Sequence, residues 1–248
     1  MMLEINYEGT KYSRLLSNSV TKNVTTALKE TNDYSFIVSY DGIIEDDSYA
    51  LLDKNACLFD VTLSNEDIVK GFNATGRNEF RRTYRTPGLD FQFGTQDFEK
   101  YYHFYTQCEH ARNWFPVPAI ELKSCLLFTA SFEGEYISGM SCYTGEDVVR
   151  VSRIYSTKRI NTNPAINGTI FGGAAKRLVI EICEYARNNG FKYVDLGGVD
   201  LSGNEKSGIS EFKLSLGGKI VPVKIGRFMK PTFIQTQKDI LVKGFDIT

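Results

Sequence analysis

Features that would declare a function outright are scarce in this chain of 248 residues. Its five cysteines (Cys57, Cys108, Cys125, Cys142 and Cys183) are odd in number and include no CxxC pair. Neither a zinc site nor a disulfide framework is expected from that spacing. Cys125 and Cys142 fall in strand-like runs and read as small buried apolar residues. There are only two histidines, His103 and His110, on either side of Cys108. His103 and Cys108 are five residues apart and share no helical face, and no acidic ligand pattern accompanies them. They read as structural, and no metal is expected. No apolar run approaches the roughly 18 residues that span a bilayer, and the opening MMLEINYEGTKYS is too polar for a signal peptide. The expected location is the cytoplasm. Charge of one sign is lacking as well, since 29 Lys and Arg stand against 30 Asp and Glu. That balance gives no global drive toward nucleic acid or an anionic membrane. DNA is not an expected partner, and the same balance argues against an RNA-binding module. No internal repeat or low-complexity tract is present.

What is there begins with alternation. The runs 33–42 and 56–63 have the aromatic and β-branched pattern of strands. Ser64 then looks like the N-cap of an acid-loaded helix running to Pro87-Gly88. A strand over 89–95 follows, then an aromatic-faced helix over 95–113 capped by Thr95. Three more strand-like runs, 125–132, 135–143 and 147–156, are separated by short turn signals at Glu133-Gly134 and Gly145-Glu146. The longest helical pattern covers about 168–189 and ends at Asn189-Gly190. The run KYVDLGG (192–198) reads as a short buried strand with a parallel neighbour, because a helix was needed to reach it. A short helix and a final strand over 218–228 complete the pattern, which is α/β with a mixed sheet. Residues 213–248 carry Lys213, Lys219, Lys224, Arg227, Lys230, Lys238 and Lys243 against Asp239 and Asp246. Such a basic end suits either a phosphate-bearing substrate or a solvated face.

Two glycine-bracketed stretches stand close together, ARNNGFKYVDLGG and GISEFKLSLGGKIVPV. Their order, G-x-x-x-x-D-x-G-G followed by G-I-x-x-F-K-x-x-x-G-G, resembles the FemAB-like branch of the GNAT acyltransferase superfamily. That branch includes peptidoglycan interpeptide-bridge aminoacyltransferases and related N-acyltransferases of envelope sugars. The stretch LFDVTLSNEDIVKGFNATGRNEFRRTYRTPGLDFQFG looks like the strand, acidic helix start, arginine-rich helix and extended strand of the same family. The resemblance implies a GNAT-like, mostly antiparallel mixed sheet flanked by helices. It also implies a shorter N-terminal α/β half at 1–94, carrying the arginine-rich helix, and an acyltransferase domain at 95–248. Bridge-forming members have two complete halves and sometimes a helical arm, which is not seen here.

The implied activity is transfer of an acyl or aminoacyl group to an amine of a cell-envelope precursor. The acceptor would be a nucleotide- or lipid-linked amino sugar or a peptidoglycan peptide, met in transient contact with the inner membrane surface. The donor would be acyl-CoA or aminoacyl-tRNA. In the family pattern the Phe-Lys pair lies at the donor site, which assigns donor positioning to Phe212 and oxyanion stabilisation to Lys213; alternatively, Phe212 fills the core while Lys213 snorkels. Gly197 and Gly198 end a central strand, where ligands bind open α/β sheets. Asp200 could orient the attacking amine or accept its proton, while Asp195 reads as structural. Arg77, Arg81 and Arg85 recur at i, i+4 and i+8, a face suited to acceptor phosphate, with Arg77 and Arg81 foremost; a solvated face is the alternative. Thr169, Gly172 and Ala174 match the Q/R-x-x-G-x-G/A spacing of acyl-CoA binders only with threonine in first place. Small residues there also let a helix pack closely. Trp114-Phe115-Pro116 reads as a hinge or as acceptor-pocket lining. A catalytically inactive GNAT-like domain that binds a sugar nucleotide or a partner protein is the alternative function.

Overall fold

Alternating apolar residues and short turns build the sheet, and one long amphipathic helix covers it. The computed structural model describes residues 2–7, 9–201, 208–231 and 233. The strands are β1 (Met2–Tyr7), β2 (Thr10–Val20), β3 (Tyr34–Ile44), β4 (Ala50–Asp60), β5 (Leu89–Phe93), β6 (Leu126–Phe132), β7 (Glu135–Thr144), β8 (Val148–Ser156), β9 (Tyr193–Val199) and β10 (Lys219–Met229). The helices are α1 (Lys22–Thr31), α2 (Asn65–Lys70), α3 (Ala74–Thr83), α4 (Phe98–His110), α5 (Ala119–Lys123), α6 (Gly168–Asn188) and α7 (Gly208–Ser215).

All ten strands form one open sheet in the order β1-β2-β3-β10-β4-β9-β8-β7-β6-β5. Neighbours are antiparallel except β2–β3 and β8–β9. The sheet is thus mixed and mostly antiparallel, flanked by helices, as the α/β reading expects. Its β10, the last of the described strands, inserts between β3 and β4. The β6–β7 turn places Glu133 and Gly134 at φ 52° and 84°, the positive-φ pair that a two-residue hairpin turn demands.

Along β8 and β9 the period of two sorts the residues. Val149, Val151, Val194 and Leu196 enter the core with Phe171, Ala174, Leu178 and Ile182 of α6. Arg150 and Asp195 alternate with them, and a strand sends successive side chains to opposite faces. A second cluster, including Tyr12, Tyr34, Phe36 and Tyr143, forms on β2, β3 and β7.

Three expectations need correction. The single helix expected from Ser64 to Pro87 is two. Ser64 caps α2 as expected, but the chain turns at Gly71, and the Asn73 side chain accepts from the Gly76 N–H to cap α3. The α3 helix ends at Thr83, so Arg85 lies beyond it and does not extend an arginine row. Asp97, not Thr95, caps α4; Thr95 donates its hydroxyl to the Asp97 carbonyl at 3.0 Å. Lys238, Lys243, Asp239 and Asp246 of the basic end lie outside the described residues.

Candidate active site

The β8–β9 ladder is short. Only Val148↔Tyr193, Val149↔Val194 and Arg150↔Asp195 pair, after which the strands diverge, β9 continuing alongside β4. Backbone groups beyond such a fork are left without the partner a full ladder would supply. A cavity of about 270 Å³ opens there, at the carboxyl ends of two parallel strands. Its walls include Arg150, Val151, Ser152, Arg153 and Ile154 of β8, Leu196, Gly197 and Gly198 of β9, and Ile209 and Lys213 of α7. Tyr12 and Arg14 of β2, Tyr34 and Phe36 of β3, and Tyr143 of β7 close the far side.

Lys213 is buried, with 7% of its surface exposed, and its Nζ donates to the Gly198 carbonyl at 2.8 Å. Burial first, and then the charge of Arg150, push its ammonium down to about 8, against the opposing pull of Asp195. Among the described residues the amine has no carboxylate in an ion pair.

The cavity's arginines differ from it in that respect. Arg150 Nη1 bonds the Asp195 carboxylate, which also accepts from the Tyr40 hydroxyl at 2.7 Å and from the Gly197 N–H at 2.6 Å. Arg14 pairs with Glu121 at 2.6 Å, and Tyr12 donates to the same carboxylate at 3.3 Å. Arg153 reaches Glu109 at 3.1 Å; Glu109 also faces Arg112 at 3.8 Å. Burial opposes the charge on Arg14 and Arg150, and Glu121 and Asp195 more than offset it, so both guanidiniums hold their protons above the ordinary range. Burial foremost raises the Tyr12 and Tyr143 phenols, which stay neutral. Arg14 also lies 5.7 Å from the centres of the Phe36 and Tyr143 rings, and its buried Nε has no hydrogen-bond partner among the described residues. A buried donor left open in this way marks a place where an acceptor fits.

Of the residues singled out in the sequence, Lys213, Gly197 and Gly198 meet in this cavity. Trp114 lines it too, with the Arg112 guanidinium 5.5 Å from its ring centre. The others lie elsewhere. Phe212 follows the core cluster instead, with the Lys176 ammonium 5.6 Å from its ring, because consecutive helical residues point about 100° apart. Asp200 is exposed beyond the end of β9, and its N–H donates to the Ser210 hydroxyl at 3.1 Å. Gly172 belongs to the contact between α6 and α3: a Cβ there would meet the Glu79 carboxylate at 2.8 Å. Ala174 is on the buried face of α6, and the first-turn N–H groups of Thr169 and Ile170 are taken by the Asn167 side chain. Arg77 spends its guanidinium on the Phe72 and Lys70 carbonyls, and Arg81 is exposed on α3. His103 and His110 are exposed along a surface groove with Asn161 and Asn163, while Cys108 is buried. Sequence reasoning missed Arg14, Arg150, Arg153, Glu109 and Glu121. For Arg150 a signal existed, an arginine inside the apolar strand run VVRVSRIYS.

Neither a family profile nor a curated protein sequence matches this chain. Solved structures do. The chain is similar to L-PGS from Bacillus licheniformis, with TM-score 0.54 and 12% identity over 94% of this chain and 82% of that one. A C-terminal DUF2156 domain of lysylphosphatidylglycerol synthetase type from Agrobacterium fabrum gives TM-score 0.57 and 11% identity, over 97% and 88% of the two chains. FemX gives TM-score 0.56 and 10% identity, over 96% and 89%. With its helix-crossed β8–β9 fork and the Asp-x-Gly-Gly and Phe-Lys stretches on either side of it, the chain has the FemAB-like GNAT fold.

Proposed function

We propose that this chain is an N-acyltransferase or aminoacyltransferase acting in the cytoplasm on an amine of a cell-envelope precursor. One observation carries the reading: a buried ammonium, Lys213, faces a cationic cavity at a strand fork and, among the described residues, has no carboxylate in an ion pair. In acyl transfer the amine nitrogen attacks the carbonyl carbon of a thioester or tRNA ester, and the π electron pair moves to oxygen. A fixed cation at that oxygen stabilises the negative charge as it forms, by about 3–4 kcal/mol for one donor. The tetrahedral centre then collapses. The C–N bond stays, the bond to sulfur or oxygen breaks, and the leaving group departs with its electron pair and takes up the proton lost by the amine. Burial of Lys213 excludes water and strengthens the interaction.

The acceptor's phosphate fits Arg14 and Arg153, which border the cavity, in place of Arg77 and Arg81 on α3. The donor is acyl-CoA or aminoacyl-tRNA; Trp114 offers an aromatic face for it at the cavity wall. The similar fold of a lysylphosphatidylglycerol synthetase domain supports an envelope acceptor.

The test is to supply acyl-CoA or charged tRNA with nucleotide- and lipid-linked amino sugars and to read amide products by mass spectrometry. Lys213→Met should cut turnover by roughly 100- to 1000-fold while circular dichroism stays unchanged. Full turnover by Lys213→Met on a confirmed substrate would remove this mechanism. Tight acceptor binding with no product from any donor would instead favour a binding domain.

A further inference from the structure

We infer that Arg150 and Lys213 form a shared seat for a single oxyanion above the bare backbone of Gly197, which makes Arg150 a second catalytic residue. Gly197 has φ of +80°, and a Cβ built on it would stand 3.6 Å from Arg150 Nη2 and 3.6 Å from Lys213 Nζ. These are the nearest atoms to that point, so two cationic heads converge on a gap that glycine alone leaves open. The guanidinium is split between two tasks: Nη1 holds the Asp195 carboxylate, and Nη2 is turned to the gap. A turn that merely needed positive φ would call for glycine but not for two buried cations around it. Asp195 offsets one of these two buried charges, and the other is left for an added anion to balance. The third-nearest atom is the carbonyl oxygen of Val151, at 3.7 Å, one residue past the last β8–β9 pair. A tetrahedral acyl-transfer centre presents this combination, an oxyanion for the two cations and an amine N–H for the carbonyl.

The assignment of the anion to a transition state rests on the acyl-transfer reading; the seat itself does not. Among the described residues, the charged and titratable groups around Lys213 are Arg150 of β8, Asp195 of β9 and the Cys57 thiol of β4. An anion in the seat keeps the Lys213 proton on to higher pH. The first experiment titrates lysine-labelled protein by NMR with and without inorganic phosphate. In the wild type, phosphate should raise the Lys213 midpoint by about 0.5 unit or more. In Gly197→Ala, whose methyl group fills the gap, the midpoint should not move. Failure of phosphate to move it in the wild type, or an equal movement in Gly197→Ala, overturns the seat.

The second experiment uses Arg150→Lys, which keeps the charge facing Asp195 but loses the fork. With a confirmed substrate, kcat should fall roughly 10- to 100-fold with KM nearly unchanged. A rise in KM alone would show that the seat holds a ground-state phosphate and would overturn the oxyanion assignment. A phosphate-dependent midpoint in a protein that forms no amide would support the seat and count against the transfer reading.

Discussion

Two β-α-β units lie in the same sheet and differ in how far their parallel strands stay together. In β2–α1–β3 the ladder runs from Tyr12↔Tyr34 to Val20↔Ile44, interrupted by a single shift near Ser17. In β8–α6–β9 it stops after Arg150↔Asp195. The first is sealed by apolar residues, among them Val20, Leu28, Ile37 and Ile44. The second ends on a buried ion pair, with strand ends that part around a cavity. A closed ladder satisfies its own peptide groups, whereas a fork leaves backbone and charge to be completed by a ligand. On the proposed function, one unit serves the fold, and the other serves the fold up to the fork and chemistry beyond it.

The sharpest way to break this contrast is to remove the charge that pins the fork. Asp195→Ala leaves Arg150 buried without its carboxylate and should cost about 3–5 kcal/mol in urea unfolding. Replacing both partners, Arg150→Leu with Asp195→Leu, makes the fork resemble the closed unit. That double variant should recover most of the loss, because apolar pairs often replace buried ion pairs at little cost. Phosphate should no longer raise its Lys213 midpoint. A double variant as unstable as Asp195→Ala would show that geometry, and not the unpaired charge, sets the penalty.

The next effect depends on pH and has no counterpart in the closed unit. Lys213 holds its proton less tightly in the folded chain, with a midpoint near 8, than an unfolded chain does near 10.5. Between those values the unfolded state binds more protons, so stability rises with pH across the window and is lost as pH falls through about 8. Lys213→Met removes this dependence. It should be more stable than wild type at pH 7 by a margin on the order of 3 kcal/mol, narrowing toward pH 10. An unchanged difference at pH 7 and pH 9.5 in denaturant unfolding would contradict the buried ammonium.

The helix over the forked unit gives a smaller effect of a different kind. At Gly173 a Cβ would come within 2.9 Å of the Glu79 carbonyl on α3, and the chain has no room there. Gly173→Val should cost about 1–3 kcal/mol by overpacking and leave Lys213 titration as it was. A shifted titration would mean that α6 packing and the fork are coupled.

Much of this was legible in the sequence, because the signals were local. The turn at Glu133-Gly134, the long helix ending at Asn189-Gly190 and the parallel neighbour of 192–198 follow from residues within a few positions of one another. The break at Gly71 and Asn73 was local too, but a run of helix formers on both sides masked it. The cavity was legible at Gly197, Gly198 and Lys213, where chain neighbours make it, and at Trp114, which the Trp-Phe-Pro run offered as pocket lining. Its arginine pairs join residues 107 and 45 positions apart, Arg14 to Glu121 and Arg150 to Asp195, and no periodicity announces such partners. The elements β1, β2 and α1 carried no motif, so Arg14, one of the residues that close the far side of the cavity, could not be placed. Arginines at helical spacing on α3 drew attention instead.

Those arginines supply the last and smallest test. Arg81 sits exposed in the final turn of α3, where a positive side chain complements the negative end of the helix dipole. That contribution is worth about 0.3–0.5 kcal/mol at a solvated position and weakens with salt. Arg81→Ala should therefore change stability by no more than about 0.5 kcal/mol and leave acceptor KM untouched. Arg14→Gln, at the cavity, should raise acceptor KM because it withdraws a buried cation whose Nε is still open. If the two variants changed KM in the reverse order, acceptor phosphate would belong on α3, and the fork would no longer be the place where both substrates meet.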